Sequence, residues 1–541
     1  FDVFRDGEKI ATVTDSTNYT DSRVGTSYTV VPSGESASSG KAVSVWDNQY
    51  MIIPLDRPEG GTSLDDETYT YSPNDITPAD VDGDGEYELI LKWEPSNSFD
   101  SGKDARHNGN VYIDCYKMNG TKLWRIDMGM NINAGAHFTQ MAAYDFDLDG
   151  KAELALKTAP GTKDGKNNYV SEASSIEEIK NTDNSADYRH DKNGGDTGGR
   201  VLSGDEYYTV FQGDTGEALD TIYYPHSRGT ITEWGDTWGN RSERYLAAVA
   251  YLDGQTPSMI AWRGYYGKTT ATAYNLVEKK LVQIADFDTS VDGYSSYAGN
   301  GNHNLAVGDV DNDGCDEILC GSLCLDNDLM PLWCSGRGHG DALHLADYDP
   351  THEGMEYFSV HEDYSGNAIT GSTTGHNGEQ RLGGMTLYAA DTGEEMFHKD
   401  DNADTGRGMI ANVGYTNGYF EIWGAGNYAS YGGNQISNTE KYYPDSTNFR
   451  IFWDGNMYDE LLDGTSGSDE GGSLKISGKS GRIQTLNNVI SNNGTKNNAC
   501  LVADLFGDWR EEIVARGQDN SSLLVYTTTI PTENKLYTLM H

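Results

Sequence analysis

The stretch DVDGDGEYE, residues 80–88, alternates three aspartates, places a glycine after them and ends in a glutamate. The same pattern returns as DFDLDGKAE at 145–153 and as DVDNDGCDE at 309–317. Alternating carboxylates around a glycine turn are typical of calcium loops, in which several oxygens lie about 2.3–2.6 Å from the ion. An apolar run follows each copy, so each loop is predicted to lead directly into a strand.

These loops differ from an EF-hand in how they close. An EF-hand ends with a glutamate at position 12 and lies between two helices. Position 12 of the three copies is Leu91, Leu156 or Cys320, and no amphipathic helix flanks them. We therefore predict that calcium holds a turn in place rather than switching a helix pair. The alternative is a solvated acidic turn, in which the repulsion among four carboxylates stays uncompensated.

In each copy the predicted ligands are the side chains at loop positions one, three, five and nine and the carbonyl oxygen at position seven. They are Asp80, Asp82, Asp84, Glu86 and Glu88; Asp145, Asp147, Asp149, Lys151 and Glu153; and Asp309, Asp311, Asp313, Cys315 and Glu317. Calcium is thus the predicted cofactor, bound at several places in a structural role.

Weaker copies extend the repeat along the chain. DYDPTHEGME (347–356) and DLFGDWREE (504–512) keep some carboxylates, whereas 250–262 and 413–424 keep little more than the turn and the strand. The shortest spacing between two starts, from 309 to 347, leaves room for one unit of four short strands. Repeated all-β units with acidic turns predict an all-β fold of the β-propeller type with seven or eight blades.

The N-terminal region lacks acidic loops of this kind. Residues 1–72 read as alternating strands joined by an RDG turn, and they resemble the later half of a fibronectin type III-like sandwich. We therefore predict a partial β-sandwich-like domain over 1–72 and a β-propeller domain over 73–541. The sequence opens at Phe1 without a signal-like segment, so a processed or truncated form is expected.

The charge balance excludes two classes of partner. With 84 acidic and 39 basic residues, the formal net charge is -45, a field that repels nucleic acid and anionic membranes. No apolar run reaches the ~18 residues of a membrane helix. The six cysteines form no CxxC pair, so we predict plain buried thiols rather than a zinc ribbon, with a disulfide as the alternative.

Histidines and carboxylates gather in the loops around the third and fourth acidic repeats. GNGNHN, GHGDAL and VHED supply His303, His339, Asp341 and Glu362, a set that suits one metal ion with nitrogen and oxygen ligands. The alternative is that each histidine only caps or packs a turn. Because two of the loops precede neighbouring acidic repeats, we predict that they meet on one face of the propeller.

Basic residues in glycine-rich loops are the remaining candidates for chemistry. Arg407 lies in DTGRGM, Lys496 in NNGTKNN, and Arg263 with Lys268 in RGYYGK; the alternative for each is a solvated surface charge. Other catalytic templates fail, since the sequence has no HExxH and no GxSxG, and GGSLKISGKS lacks the first glycine of a P-loop.

Taken in order, PSNS, GNHNLAVGDVDNDG, GHGDALH, DTGRGM, NNGTK and the run from GDWREEIVAR to YTLMH match one known pattern. Over residues 40–541 the chain resembles polysaccharide lyase family 11, the rhamnogalacturonan lyases. The resemblance implies an eight-bladed, calcium-rich propeller that cleaves rhamnogalacturonan I by β-elimination in a calcium-dependent reaction. It also implies a secreted, extracellular, monomeric protein whose partner is this pectin backbone of alternating rhamnose and galacturonate.

The resemblance also implies residue roles. Asn97, Asp114, Asn493, Gly494 and Thr495 match sugar-contacting positions, Lys496 and Arg407 match basic residues proposed for catalysis, and His303, His339, Asp341 and Glu362 match a metal site near the cleft. We predict that Lys496 is the base and that Arg407 binds the carboxylate, because a guanidinium gives up its proton far less readily. Family members continue beyond YTLMH with a segment that closes the last blade, so that blade is expected to be incomplete here.

Two rival functions stay open at this point. A non-catalytic calcium propeller that binds glycans or proteins would explain the acidic loops equally well, but not the basic residues or the histidine set. A calcium-dependent glycoside hydrolase would need two carboxylates about 5–10 Å apart across a cleft, and 84 acidic residues leave that possible.

Overall fold

The computed structural model describes most of the chain. The described residues are 1–99, 105–362, 383–401, 404–414, 420–424, 427–430, 446–465 and 472–536. Within them the ordered elements are almost all antiparallel strands, and the single α-helix there is the one turn Glu177–Lys180. None of the helices in these ranges is long and apolar enough to cross a membrane. The predicted all-β class is confirmed.

The chain divides into two compact units. One contains the described residues of Phe1–Pro54 and Arg450–Met540, and the other contains those of Leu55–Phe449.

The larger unit contains six antiparallel sheets, here named I to VI, in which neighbouring strands follow one another in the chain. Their strands are Tyr71–Ala79, Glu88–Pro95, Tyr112–Tyr116 and Lys122–Asp127 (I); Met141–Tyr144, Glu153–Thr158, Tyr207–Gln212 and Ala218–Tyr223 (II); Tyr245–Ala250, Ser258–Arg263, Thr270–Val277 and Lys280–Asp288 (III); Ala306–Gly308, Glu317–Cys320, Leu323–Leu325 and Pro331–Cys334 (IV); Leu343–Ala346, Glu356–His361, Gly383–Ala389 and Glu395–Asp401 (V); and Gly408–Ala411, Glu421–Gly424 and Asn427–Ser430 (VI). A two-stranded ribbon, Gly61–Thr62 with Thr68–Tyr69, precedes them.

Sheets I to VI stand side by side in chain order. The first strand of each sheet contacts the first strand of the next, from sheet I to sheet VI. The second strand is buried along its whole length, as in Glu88–Pro95 and Glu153–Thr158, and its buried charged side chains include Lys92 and Lys157. Apolar cores fill the spaces between neighbouring sheets; Ile113 of sheet I and Leu154 of sheet II, for example, share one cluster.

The smaller unit contains an N-terminal sheet and two further sheets, VII and VIII. The strands are Asp2–Arg5, Glu8–Thr12, Ser27–Val31 and Val43–Ser44 (N-terminal sheet); Phe449–Ile451, Glu460–Gly464, Leu474–Gly478 and Gly481–Leu486 (VII); and Val489–Ile490, Leu501–Ala503, Glu512–Gly517, Ser522–Tyr526 and Tyr50–Pro54 (VIII). Short 3-10 helices are Ala37–Ser39 and Gly494–Lys496 in this unit and Val170–Ala173, Gly195–Thr197, Ile231–Trp234, Arg241–Glu243 and Ser295–Tyr297 in the other.

The edge of sheet VIII is supplied from near the start of the chain. Tyr50–Pro54 pairs antiparallel with Ser522–Tyr526, with Tyr50 opposite Tyr526 and Pro54 opposite Ser522. The described residues thus give sheet VIII an outer strand from the N-terminal region, and the expectation about a closing segment beyond His541 stays a prediction. The predicted domain over 1–72 stays a prediction, with one four-stranded sheet between residues 2 and 44 described there.

One glutamate recurs at the start of the second strand. Its carboxylate is buried and accepts a hydrogen bond from a backbone N–H seven or eight residues earlier, at 2.6–3.0 Å. The residues are Glu88, Glu153, Glu317, Glu356, Glu421, Glu460 and Glu512. Sheet III lacks it, and there Asp316 of the next loop accepts from the N–H of Tyr251 at 2.7 Å. The repeat at 453–460 was missed because WDGNMYDE keeps this glutamate and little else of the motif.

The cysteines behave as predicted. All six are free thiols, and five of them are buried, whereas Cys315 in the third acidic loop is half-buried.

Candidate functional site

The three full acidic loops each gather three carboxylates. In each loop the oxygens of positions one, three and nine lie within 4.8 Å of one another. The fifth-position aspartates lie outside these groups and instead accept hydrogen bonds from the amide two residues later, at 2.8–3.0 Å. The structure therefore brings together three of the four predicted side-chain ligands in each loop.

Each of these loops contains a buried oxygen without a hydrogen bond among the described residues; in the first loop it is Asp82 Oδ1, and in the other two it belongs to the closing glutamate. Glu153 Oε1 and Glu317 Oε1 have no hydrogen-bond partner among the described residues. Burial, followed by the charge of Asp147, raises the pKa of Glu153 to about 8. Burial likewise raises the pKa of Glu317 to about 7, with Asp311 adding to it. A divalent cation would fit here, because it would pair these oxygens and offset the repulsion.

The carboxylates of the first loop pair with a lysine from outside the loop. The ammonium group of Lys117 contacts Asp82 and lies 3.0 Å from Asp84 Oδ2 and 3.6 Å from Glu88 Oε1. Hydrogen bonds to the two aspartates raise the pKa of Lys117 above its ordinary value. Sequence reasoning missed Lys117 because it lies far from loop 80–88 in the sequence, directly after Tyr116, the last residue of the third strand of sheet I.

The histidine set forms one cluster, as predicted. His303 Nε2 lies 3.1 Å from Asp341 Oδ1, and His339 Nε2 lies 3.4 Å from the same oxygen. His339 Nε2 is also 3.7 Å from Glu362 Oε1. These distances fit a mixed nitrogen and oxygen site for a divalent cation.

His339 is prepared as a ligand by its surroundings. The side chain is fully buried and stacks on Tyr265, with ring centroids 5.5 Å apart. Its Nδ1 lies 2.9 Å from the carbonyl oxygen of Gly301, which only accepts, so Nδ1 carries the proton and Nε2 keeps its lone pair. Burial lowers the pKa of His339 to about 4, so the ring is neutral at pH 7, and Nε2 makes no hydrogen bond among the described residues.

His303 lies between tyrosines and an arginine. Its Nε2 is 2.9 Å from the hydroxyl of Tyr266, and its Nδ1 is 3.3 Å from that of Tyr265 and 3.5 Å from Arg244 NH1. The side chain remains 31% exposed, so this ring forms the open side of the cluster. A ligand that enters from solvent would meet His303 before His339.

Glu362 closes the cluster, and Asp404 joins it. Oxygens of Asp341, Glu362 and Asp404 lie within 4.8 Å of one another. Burial, then the charges of Asp341 and Asp404, raises the pKa of Glu362 to about 7. Sequence reasoning missed Asp404, although it stands in the quoted DTGRGM motif three residues before Arg407.

Arg407 lies at the start of sheet VI, one residue before Gly408–Ala411. The turn that carries it is anchored where the backbone N–H of Thr405 donates to His361 O at 3.3 Å. Gly424 faces it closely, because a methyl group there would lie 3.1 Å from Arg407 O. The larger unit therefore brings Arg407 and the histidine cluster into the same set of loops.

Lys496 belongs to the smaller unit, at the end of the 3-10 helix Gly494–Lys496. Asn493 and Asn497 flank the helix with left-handed backbones, φ 59° and 52°. The N–H of Lys496 donates to Asn493 O at 3.0 Å, and the lysine side chain is exposed. This tight turn presents an ammonium group and the Asn493 side chain to solvent.

Two predicted sugar contacts need correction. Asp114 is fully buried and accepts hydrogen bonds from Trp93 Nε1, Tyr116 OH and two nitrogens of Arg125, at 2.7–2.9 Å. Asn97 is 1% exposed and bonds the main chain of His107 and Gly109. Neither side chain is accessible to a polysaccharide in this structure, so both brace the loops around them.

Arg263 is likewise structural, but the alternative interpretation of a solvated surface charge is wrong for it, because the side chain is buried. Its guanidinium is fully buried and pairs with Glu206 and Glu243 at 2.9–3.3 Å. Lys268 pairs with Asp288 at 3.2 Å.

Comparison with known proteins identifies the family. A family model described as rhamnogalacturonan lyase family 11, C-terminal domain, matches residues 50–541. Two Bacillus subtilis (strain 168) proteins cover 100% of this chain: rhamnogalacturonan endolyase YesW, 46% identical with 82% of its own length covered, and rhamnogalacturonan exolyase YesX, 44% identical with 86% covered.

Solved structures agree with this result. The crystal structure of exotype rhamnogalacturonan lyase YesX has a TM-score of 0.88 at 42% identity, covering 100% of this chain and 87% of that one. The Bacillus licheniformis rhamnogalacturonan lyase PL11 has a TM-score of 0.85 at 42% identity, with the same coverage. The chain therefore belongs to rhamnogalacturonan lyase family 11.

Proposed function

We propose that this chain cleaves the rhamnogalacturonan I backbone between rhamnose and galacturonate by β-elimination, in a calcium-dependent reaction. The names of its relatives, a rhamnogalacturonan endolyase and a rhamnogalacturonan exolyase, support the substrate class. Their nearly equal identities leave the choice between internal and terminal cleavage to experiment. We also propose that sheets I to VIII are the eight blades of a propeller and that the protein acts outside the cell as a monomer.

The observation that carries this proposal is the cluster around His339. Its buried, neutral Nε2 faces Asp341 and Glu362, and the turn bearing Arg407 belongs to the same loops. His303, His339, Asp341 and Glu362 would hold a divalent cation, calcium in our proposal. When bound, such a cation supplies Lewis acidity that withdraws charge from a substrate carboxylate.

The residues of the chain would do the rest of the reaction. Lys496 in its neutral form takes the proton from C5 of galacturonate, the C4–O bond breaks, and a C4=C5 double bond forms. The departing oxygen takes up a proton from water, and the proton from C5 stays on Lys496. Arg407 pairs with the carboxylate in two parallel hydrogen bonds, which holds the sugar and stabilises the charge that develops on it.

The local charge of the site also answers a problem of the whole chain. A protein with a net charge of -45 repels a polyuronate. Arg407 and a bound cation would give a positive patch in the larger unit, where the substrate carboxylate binds in our proposal. Salt should therefore affect binding less than the net charge alone predicts.

The direct test is incubation with rhamnogalacturonan I, with and without a chelator, followed by absorbance in the near ultraviolet. We expect an unsaturated product from the untreated protein and none from Lys496→Ala. Lys479→Ala, which removes an exposed lysine from the hairpin of sheet VII, should retain activity. Reducing ends without unsaturation would indicate a hydrolase instead, and binding without cleavage would indicate a lectin.

A further inference from the structure

The turn 404–407 packs directly against the histidine cluster. A methyl group on Gly406 would lie 3.3 Å from Asp341 Oδ2 and 3.4 Å from Asp404 Oδ1. The backbone of Gly406 thus lies close to both carboxylates. The backbone of the turn is held at the distance that brings the side chain of Asp404 to the cluster.

Main-chain hydrogen bonds connect the loops that carry the ligands. Gly340 N donates to Gly301 O at 3.2 Å, Glu362 N to His339 O at 3.1 Å, and Thr405 N to His361 O at 3.3 Å. Each bond joins two of the loops that carry candidate ligands, and each of its ends lies at a ligand or within two residues of one. The turn 404–407 is the last member of this series.

Asp404 offers an oxygen to the same space as the other ligands. The group of Asp341, Glu362 and Asp404 shares Asp341 with the group of His303, His339 and Asp341. A set of acidic residues alone is weak evidence for a site, but here the fully buried Nε2 of His339 faces Asp341 and Glu362 without a hydrogen bond. An imidazole nitrogen and carboxylate oxygens therefore face the same position.

We infer that Asp404 is a further ligand of the cation at this cluster and that the cation thereby fixes the turn that carries Arg407. Asp404 is a positioning residue in this scheme, because it acts on the substrate only through Arg407, three residues later. Cation binding and the placement of Arg407 are then one event. The inference rests on the proposed function for its use in catalysis, but not for its test.

The first experiment measures cation affinity at this cluster alone. Co²⁺ is the probe, because imidazole ligands suit it better than the all-oxygen loops do, and hyperfine-shifted ring signals of His303 and His339 report binding at this site. We expect Asp404→Asn to weaken binding by at least about tenfold and Asp404→Glu to restore most of it. Asp391→Asn, in the outer turn of sheet V, is the matched control and should bind as the unchanged protein does.

The second experiment measures hydrogen exchange in residues 404–411. Saturating Co²⁺ should slow exchange of these amides by at least about tenfold in the unchanged protein, because the turn is held at both ends. In Asp404→Asn, saturated until the His303 signals are complete, the slowing should be lost. This comparison does not depend on affinity, and circular dichroism checks that the variant is folded.

The outcomes separate this inference from the proposed function. Unchanged Co²⁺ affinity and unchanged slowing in Asp404→Asn would overturn the inference, even if the protein cleaves rhamnogalacturonan I. Loss of both would support it, even if no unsaturated product is ever formed. His339→Ala should abolish the Co²⁺ signals, and signals that persist there would show that the probe binds elsewhere and would overturn the site itself.

Discussion

The loops 309–317 of sheet IV and 347–356 of sheet V share one backbone hydrogen bond but differ in the groups that surround their buried glutamate. In both, a buried glutamate accepts backbone N–H groups from the start of the loop, Glu317 from Val310 and Glu356 from Tyr348. The second oxygen of Glu317 has no hydrogen-bond partner among the described residues. The second oxygen of Glu356 lies 2.8 Å from His352 Nδ1.

The same turn is therefore stabilised in two different ways. Sheet V supplies a partner from its own chain, whereas sheet IV leaves a carboxylate oxygen and two aspartates to be paired from solution. The loop 504–512 resembles sheet V, because Arg510 pairs with Asp508 there. The glutamate is thus the constant part of the repeat, and the source of positive charge is the variable part. The predictions below test this division.

The largest expected effect is that of calcium removal. Chelation should lower the free energy of unfolding by about 3 kcal/mol for each site that had been held at 100 times its dissociation constant. Differential scanning calorimetry with and without chelator measures it. Glu153→Gln with Glu317→Gln should reduce the dependence on calcium, and full dependence in that double variant would contradict the assignment of these loops.

The next effect is a pH dependence of the chelated protein. In the folded chain the pKa of Glu153 is raised from its ordinary 4.5 to about 8, and that of Glu317 to about 7. The folded chain therefore binds more protons than the unfolded chain in this window. Raising the pH from 5 to 8 should lower the free energy of unfolding, by at most about 1.4 kcal/mol per pH unit for each group.

Chemical denaturation at several pH values checks this slope. The same series with saturating calcium should be flatter, because the bound ion pairs the ionised form. Equal slopes with and without calcium would show that the two glutamates do not face an ion.

The partner in sheet V should matter by a smaller amount. His352→Ala leaves the buried Glu356 Oε1 without its hydrogen bond, which should cost about 1–3 kcal/mol. Urea denaturation measures the loss, and His190→Ala, which removes an exposed histidine, is the control. If His352→Ala is as stable as the unchanged chain, the claim that His352 stabilises the buried Glu356 carboxylate in sheet V is wrong.

The smallest effect is expected at Lys117. Its side chain is 26% exposed, so water screens its ion pairs and Lys117→Gln should change the free energy of unfolding only slightly. The variant should, however, depend more strongly on calcium, since loop 80–88 then resembles 309–317. Lys151→Gln is the matched control, because Lys151 pairs outside its own ligand group, with Asp214 at 3.3 Å.

Sequence reasoning located the repeat because its evidence is local. Alternating aspartates, a glycine and a closing glutamate stand within nine residues, and the histidine motifs stand in loops of fixed order. The repeat at Glu460 escaped because the aspartates are mostly gone while the backbone hydrogen bond remains. This hydrogen bond needs only one glutamate, and one glutamate is not a recognisable pattern in the sequence.

What could not be predicted depends on partners far away in the chain. Lys117 and Asp404 reach their clusters from other strands and loops, so no spacing indicates them. Asp114 and Asn97 matched sugar-contacting positions of the family, but burial, which removes them from contact, is set by packing around Trp93 and Arg125. The edge strand Tyr50–Pro54 has no acidic motif to mark its place in sheet VIII.

The pairing of Tyr50–Pro54 with Ser522–Tyr526 has a consequence for biosynthesis. The two partners lie more than 460 residues apart in the chain, so sheet VIII cannot be completed until Ser522–Tyr526 has emerged from the ribosome. Until then Tyr50–Pro54 is an unpaired strand that can form non-native pairings or aggregate. A chaperone that holds the first 54 residues, or a circular permutant that begins after Pro54 and returns these residues at the end, should raise the yield of folded protein.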